Sequence, residues 1–260
     1  MPKTPEQIAL DKQRDRLTKR FHKACADYGL IADGDHVLIG LSGGKDSLLL
    51  TELLGRRARI HVPSFKVTAL HVRVKERDYH TDLSYLEAFC AEAGVPLLVR
   101  DVEIGEAPQH QSSIINHQSS IKNPCFLCSW YRRKTLFNVA QEIGCNKIAF
   151  GHHRDDIAET LLMNLIYQGT FATMPPMLQL DKMPLQLIRP LCLIDEADII
   201  RYAEMRGYEK QTKLCPFEHV SSREKVKELL SQIKALNPEA IDSMYGALTN
   251  IKTEYLPKLI

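Results

Sequence analysis

The apolar residues of this chain fall into two patterns, short unbroken runs and longer stretches with a three-to-four-residue beat. Val37-Leu38-Ile39-Gly40-Leu41, entered through His36, is of the first kind, as expected of a strand buried on both faces of a parallel sheet. Phe65-Lys66-Val67-Thr68-Ala69-Leu70 predicts a second strand ending near His71-Val72, and Pro96–Val102, Lys147–Gly151 and Leu185–Arg189 predict three more. The helical beat predicts a helix over residues 6–29, with apolar positions near Ile8, Leu17, Phe21 and Tyr28, and another opening over Ser47–Leu54. Further helices are expected at 82–93, Cys128–Gly144, Asp155–Tyr167 and Asp195–Gly207, the last stopped by its glycine. Two more, near 222–235 and 238–253, make a polar helical tail. Strands alternating with helices predict an α/β, doubly wound, mainly parallel sheet that takes ligands at the carboxyl ends of its strands. The expected layout is a helical extension over 1–30, the sheet domain over 31–210 and the tail over 211–260.

Between Gly105 and Asn123 the beat fails. His110-Gln111-Ser112-Ser113-Ile114 recurs seven residues later as His117-Gln118-Ser119-Ser120-Ile121, with no periodic apolar face. A mobile loop is expected there, leading into Pro124-Cys125 and placed to act as a lid.

Ser42-Gly43-Gly44-Lys45-Asp46-Ser47 joins the first strand to its helix. Neither glycine carries a Cβ, so the backbone can approach a ligand closely. Free N–H groups in the helix's first turn, with the helix dipole behind them, favour a phosphate. Lys45 adds a charge, and Ser42 and Ser47 add hydroxyls. A Walker A loop would need glycine in place of Ile39 and a hydroxyl residue in place of Asp46. A dinucleotide fingerprint would need a third glycine at a matching interval, and the plain alternative is an ordinary glycine-rich turn. The six residues in this setting resemble the loop of the ATP pyrophosphatases, the PP-loop family, which split ATP between its α and β phosphates.

At 260 residues, 44% hydrophobic and 25% charged, the chain has the composition of a soluble globular protein. Its apolar runs fall far short of the ~20 residues that span a bilayer. The start, Met1-Pro2-Lys3-Thr4-Pro5, has no apolar signal core, so a cytoplasmic address without a membrane partner is expected. A net charge of +2 says little about nucleic acid, but two local clusters say more. Arg14, Arg16, Lys19, Arg20 and Lys23 crowd the first helix, and Arg132-Arg133-Lys134 form the second cluster. The first reads equally as a solvated helix face and as an RNA-facing patch.

Seven cysteines is an odd number, and a reducing compartment argues against a disulfide framework. Cys25, Cys90, Cys145 and Cys192 sit in apolar surroundings and read as buried small hydrophobes. Cys125 and Cys128 form a C-x-x-C pair at the mouth of a helix, and Cys215 lies far downstream in Leu214-Cys215-Pro216. By spacing these suit a [4Fe–4S] cluster with one iron lacking a protein ligand and equally, with His219, a Cys₃His zinc site. A redox pair belongs to another strand–helix context.

Taken together, the phosphate loop, Pro-Cys-x-x-Cys and the late cysteine resemble the tRNA 2-thiocytidine synthetases (the TtcA family), which thiolate cytidine 32 of certain tRNAs. Further matching stretches are Cys128-Ser129 leading to Arg132-Arg133, and Lys147-Ile148-Ala149 before Gly151-His152-His153-Arg154-Asp155-Asp156. Met174-Pro175-Pro176 and Ile188-Arg189-Pro190-Leu191 complete a match over roughly residues 15–250. The resemblance implies an adenine nucleotide alpha-hydrolase-like fold, an ATP-dependent sulfurtransferase, and a [4Fe–4S] cluster on Cys125, Cys128 and Cys215. Where that family often has a second cysteine after the late one, this chain has Pro216-Phe217-Glu218-His219, a departure bearing more on the choice of tRNA than on the cluster.

On that reading the O2 of a tRNA pyrimidine attacks the α-phosphate of ATP, pyrophosphate leaves, sulfur adds at C2 and AMP departs. Leu41, Ser42, Gly43, Gly44, Lys45, Asp46 and Ser47 would bind ATP, with Mg²⁺ bridging its phosphate oxygens. His71, Val72 and Gly151 would lie against the adenine. Asp155 and Asp156 can take Mg²⁺ or order the base, and Asp155 has the alternative role of capping the helix behind it. Arg132, one turn after Cys128, would neutralise the adenylate or a tRNA phosphate. Lys45, Asp46, Arg132 and Asp156 are the expected catalytic residues. His152 and His153, as strand neighbours, would point to opposite faces and so cannot chelate one ion. Expected partners are tRNA, ATP, a sulfur donor such as a cysteine desulfurase and, in a homodimer, a second copy of the chain. Rival readings are thiolation of a tRNA uridine by a related PP-loop enzyme, an amine-transferring PP-loop enzyme, and a zinc-stabilised nucleotide-binding module without catalysis.

Overall fold

Thr4 opens the first helix by a reciprocal cap: its hydroxyl accepts the Gln7 N–H, and the Gln7 side chain accepts the Thr4 N–H, with Pro5 in the first turn. The computed structural model describes residues 3–75, 79–80, 82–104, 124–181, 183–209, 212–213 and 222–257, and of Cys125 its backbone. The seven-residue repeat, Cys215 and His219 lie outside the described residues. In chain order the elements begin with α1 (Pro5–Asp27), β1 (His36–Gly40), α2 (Lys45–Ala58), β2 (Lys66–Val74) and the short β3 (Tyr79–His80). They continue with α3 (Leu83–Ala93), β4 (Leu97–Val102), α4 (Pro124–Glu142), β5 (Lys147–Ala149) and α5 (Arg154–Met163). Then follow β6 (Met177–Gln179), β7 (Gln186–Ile188), α6 (Glu196–Arg206), β8 (Thr212–Lys213), α7 (Ser222–Leu236) and α8 (Ala240–Ala247).

Six strands form one sheet in the order β4-β2-β1-β5-β7-β6, parallel except for β6 against β7. Alternation along β1 sorts its side chains to two cores. Val37 and Ile39 join Leu17 and Phe21 of α1, Leu48 and Leu50 of α2, and Ile199 of α6; Leu38 joins Leu70, Ile148 and, from α4, Leu136 and Val139. Helices therefore cover both faces, the doubly wound, adenine nucleotide alpha-hydrolase-like arrangement expected. From β1 the chain moves to β2 and β4 on one side, then returns to β5 on the other. The order reverses beside β1, and such a switch point leaves a crevice at the strands' carboxyl ends. The tail packs outside this sandwich, Leu230 of α7 and Ile241 of α8 meeting Ala158 of α5.

Several boundaries differ from expectation for physical reasons. β6 was not predicted, because all three of its residues are exposed and leave no apolar alternation to read. α4 starts at Pro124 rather than Cys128, since proline is well suited to a helix's first position; Cys125 and Cys128 thus stand one turn apart near the helix start. β5 ends at Ala149, so His152 and His153 lie in the irregular connection to α5 and not on a strand. The helix expected over Asp155–Tyr167 changes to a π turn over Asn164–Gln168, and α8 is shorter than its predicted span. Cys90, Cys145 and Cys192 are buried and Cys25 partly so. Burial raises their thiols to about 12 at Cys25 and about 11 at the other three, which suits inert packing. No described helix is long and apolar enough to cross a membrane.

Candidate active site

The loop after β1 is shaped by its own hydroxyls. Gly43 has φ +83°, a conformation that glycine adopts without strain. Ser47 Oγ accepts the Gly43 N–H at 3.1 Å and donates to the Gly44 carbonyl at 2.9 Å, while Ser42 Oγ lies 3.1 Å from it and accepts the Gly44 N–H at 3.3 Å. Gly44 caps α2 without any side-chain hydrogen bond, so the first-turn N–H groups remain for an anion. Gly151, after β5, backs the loop. A Cβ on it would come within 3.0 Å of the Asp46 carbonyl carbon and 3.1 Å of the Ser47 nitrogen. Glycine there lets the end of β5 close on the start of α2 without displacing its backbone.

Two carboxylates flank one imidazole at this junction. Asp46 Oδ1 is buried without a hydrogen-bond partner. His153 Nε2 stands 3.9 Å from it and 3.4 Å from Asp156 Oδ2. His153 is itself the cap of α5: its Nδ1 accepts the Asp156 N–H at 3.3 Å, and Asp156 Oδ2 accepts the His153 N–H at 3.0 Å. The capping role expected of Asp155 therefore belongs to His153. Asp155 instead accepts the Glu196 N–H at 2.8 Å and a bond from Lys234. Burial favours its protonated form, but these donors outweigh it and hold its pKa below the usual value.

Lys45 turns to a third carboxylate. Its Nζ lies 3.2 Å from Asp46 Oδ2 and 3.2 Å from Glu196 Oε1, and Glu196 also binds Lys227 at 2.9 Å. Burial works against the ammonium, yet Asp46 and Glu196 prevail and raise its pKa.

The crevice is a cleft of about 1500 Å³. Leu41, Ser42, Asp46, Ser47, His71, Val72, Gly151, Asp156 and Arg132 all line it, so most of the expected site residues converge. Gly43, Gly44 and Lys45 flank the lining, and Cys128 is buried behind it while Ser129 and Trp130 reach it. His71 is a link as much as a wall: its Nδ1–H donates to the Leu41 carbonyl at 2.8 Å, and burial lowers its pKa. Among the described residues no three His, Cys, Asp or Glu side chains group as a metal site. Two lining arginines stand out among the residues with no role assigned from sequence. Arg223 of α7 donates to Asp156 at 2.5 Å and Glu159 at 3.0 Å, a contact between distant segments with no local signal. Arg189 stands in the Ile-Arg-Pro stretch, where the proline beside it was the available clue.

Comparison with known proteins agrees with this geometry. Residues 13–211 match a PP-loop domain family. A tRNA-cytidine(32) 2-sulfurtransferase of Chromohalobacter salexigens is 36% identical over 256 residues, covering 96% of this chain and 86% of the relative. One from Methylococcus capsulatus is 35% identical over 253 residues, covering 96% and 84%. Among solved structures, the U34-tRNA thiolase NcsA from Methanococcus maripaludis, with its [4Fe–4S] cluster, shares the fold at TM-score 0.70 and 24% identity, over 95% of this chain and 81% of that one.

Proposed function

The chain belongs to the tRNA-cytidine(32) 2-sulfurtransferase family of PP-loop proteins, and from that premise we propose how its residues carry out ATP-dependent thiolation of a tRNA pyrimidine. The observation that carries the proposal is the cradle at Ser42–Ser47, closed by Gly151 and opening on a cleft with both carboxylates and cations. The cradle's N–H groups hold the polyphosphate, so that the base O2 meets the α-phosphate in line with departing pyrophosphate. Lys45, drawn from Glu196 to the phosphates, neutralises charge on the leaving group, and Glu196 keeps Lys227. Arg132 and Arg223 line the same cleft and supply further positive charge. Once the base is adenylated, sulfur adds at C2 and AMP leaves with the original oxygen.

Two groups complete this site. The orphaned Asp46 Oδ1 and the neighbouring Asp156 fit a hard cation; Mg²⁺ held there would neutralise phosphate charge during adenylation. Cys125 and Cys128, one turn apart on α4, and Cys215 form a thiolate set suited to a [4Fe–4S] cluster, which would supply an iron for the incoming sulfur. The sulfur itself comes from a donor such as a cysteine desulfurase, with a thiol reductant supplying the two electrons that bring its sulfane sulfur to the sulfide level of the product.

The test is tRNA-dependent formation of AMP and pyrophosphate by the anaerobically purified chain. Lys45→Ala and Asp46→Ala should lower it by about 10²-fold or more while bound iron stays unchanged. AMP formation at the unaltered rate in both variants would refute the assignment of the cradle.

A further inference from the structure

Two polar groups in the cleft have no role in the reaction as described. Arg189, at the end of β7, is 7% exposed. Its Nη1 donates to the Pro175 carbonyl at 2.5 Å, its Nε has no partner, and no carboxylate pairs with it among the described residues. A buried guanidinium without a counter-charge is costly unless a ligand completes it. Burial lowers its pKa accordingly. His152, in the connection between β5 and α5, has a buried and unpartnered Nδ1, and burial keeps its ring neutral with a pKa lowered to about 4. Phe150, Met174, Met183 and Leu187 give the same part of the cleft an apolar lining, the Phe150 ring 5.6 Å from that of His152.

Strand order shows which half of the cleft this is. His71 on β2 is one strand to one side of the cradle, and Arg189 after β7 is two strands to the other. At ~4.8 Å per strand the two lie about 14 Å apart across the sheet. The cleft, at about 1500 Å³, exceeds the roughly 300–1,000 Å³ typical of a single small-ligand site. A nucleotide on the cradle with its adenine towards β2 leaves the β5–β7 half for a second ligand.

Resting on the function proposed above, we propose that this half receives the flipped target base, with the Arg189 guanidinium donating to its N3 and His152 accepting from its exocyclic N4 amine. A base taken out of its stack needs apolar faces and polar groups along its Watson–Crick edge, and both are here. Guanidinium can only donate. Cytosine N3 accepts, whereas uracil N3 carries a hydrogen, so the same arginine that orders cytosine rejects uracil. Engaging N3 and N4 leaves O2, the atom to be exchanged, free to reach the α-phosphate. Arg189 is then a specificity residue separate from the phosphate-binding groups.

The experiment uses the full chain and tRNAs carrying cytidine, uridine or 3-deazacytidine (CH in place of N3) at position 32. Expected is a kcat/KM for the uridine and 3-deaza substrates about 10²-fold below cytidine, with ATP affinity unchanged. In Arg189→Gln, checked for folding by its melting temperature and nucleotide affinity, cytidine turnover falls and the 3-deaza penalty shrinks to within about threefold. Equal turnover of cytidine and 3-deazacytidine tRNAs by the unaltered protein overturns the inference and leaves thiolation standing, and it does so whether or not the variant folds. Thiolation of none of the three overturns the function itself.

Discussion

The two basic clusters of this chain have similar composition and opposite surroundings. On α1, Arg14 meets Asp11 at 2.6 Å, Arg16 meets Asp198 at 3.1 Å, Arg20 meets Asp195 at 2.5 Å and Lys23 meets Asp27 at 2.6 Å. With Leu17, Phe21 and Ala24 fully buried beneath them, the Arg16 and Arg20 pairs fasten α1 to the start of α6, while the Arg14 and Lys23 pairs close within α1 itself. On α4, Arg133 meets the Ser129 carbonyl at 3.3 Å and Lys134 lies over the Trp130 ring at 5.0 Å. Both are exposed and line the cleft with Arg132. A cation already matched by a carboxylate gains little from a phosphate, whereas one resting on a carbonyl or an indole gains the whole attraction. Charge in the sequence marks candidates for RNA contact; the positions of the counter-charges choose between them.

Reversing both exposed α4 charges should have the largest effect. Arg133→Glu with Lys134→Glu is expected to weaken tRNA binding by about 10²-fold at low salt and reduce the salt slope by about two; an unchanged slope in a salt titration would move the RNA face elsewhere. Arg20→Ala comes next and acts on the other side of the comparison. It leaves Asp195 and the buried Asp198 short of a partner, and denaturant unfolding should show a loss of roughly 1–2 kcal/mol. Its tRNA affinity should stay as it was. Lys19→Ala should do least, because this exposed lysine makes no ion pair with a described residue. Stability within about 0.5 kcal/mol and unaltered affinity are expected, and a drop in affinity with a slope change would show that α1 meets RNA after all.

Much of the site was legible because its parts are local. The strand, the Gly-Gly turn and the helix that follows sit within twenty residues, and backbone chemistry alone gives that segment its use. Gly151 could be placed near the nucleotide because it ends a strand of the same sheet. Arg223, Glu196 and His153 were not legible: their meaning lies in Asp156, Lys45 and Asp46, reached across segments that only the packing of α5, α6 and α7 brings together. Imidazole is also an unusual helix cap beside Ser, Thr, Asp or Asn, which is why Asp155 looked the better choice. The N-terminal cluster stayed open between two readings for a related reason, since its partners Asp195 and Asp198 stand far along the chain.

The central claim is that this cradle drives sulfur insertion into tRNA. Its most direct test is nucleoside mass spectrometry of total tRNA from a strain lacking this chain, rescued with either the natural protein or Asp46→Ala at equal abundance. The account predicts 2-thiocytidine restored by the natural protein and absent with Asp46→Ala. Full 2-thiocytidine in the Asp46→Ala strain, or none in the strain carrying the natural protein, would contradict it.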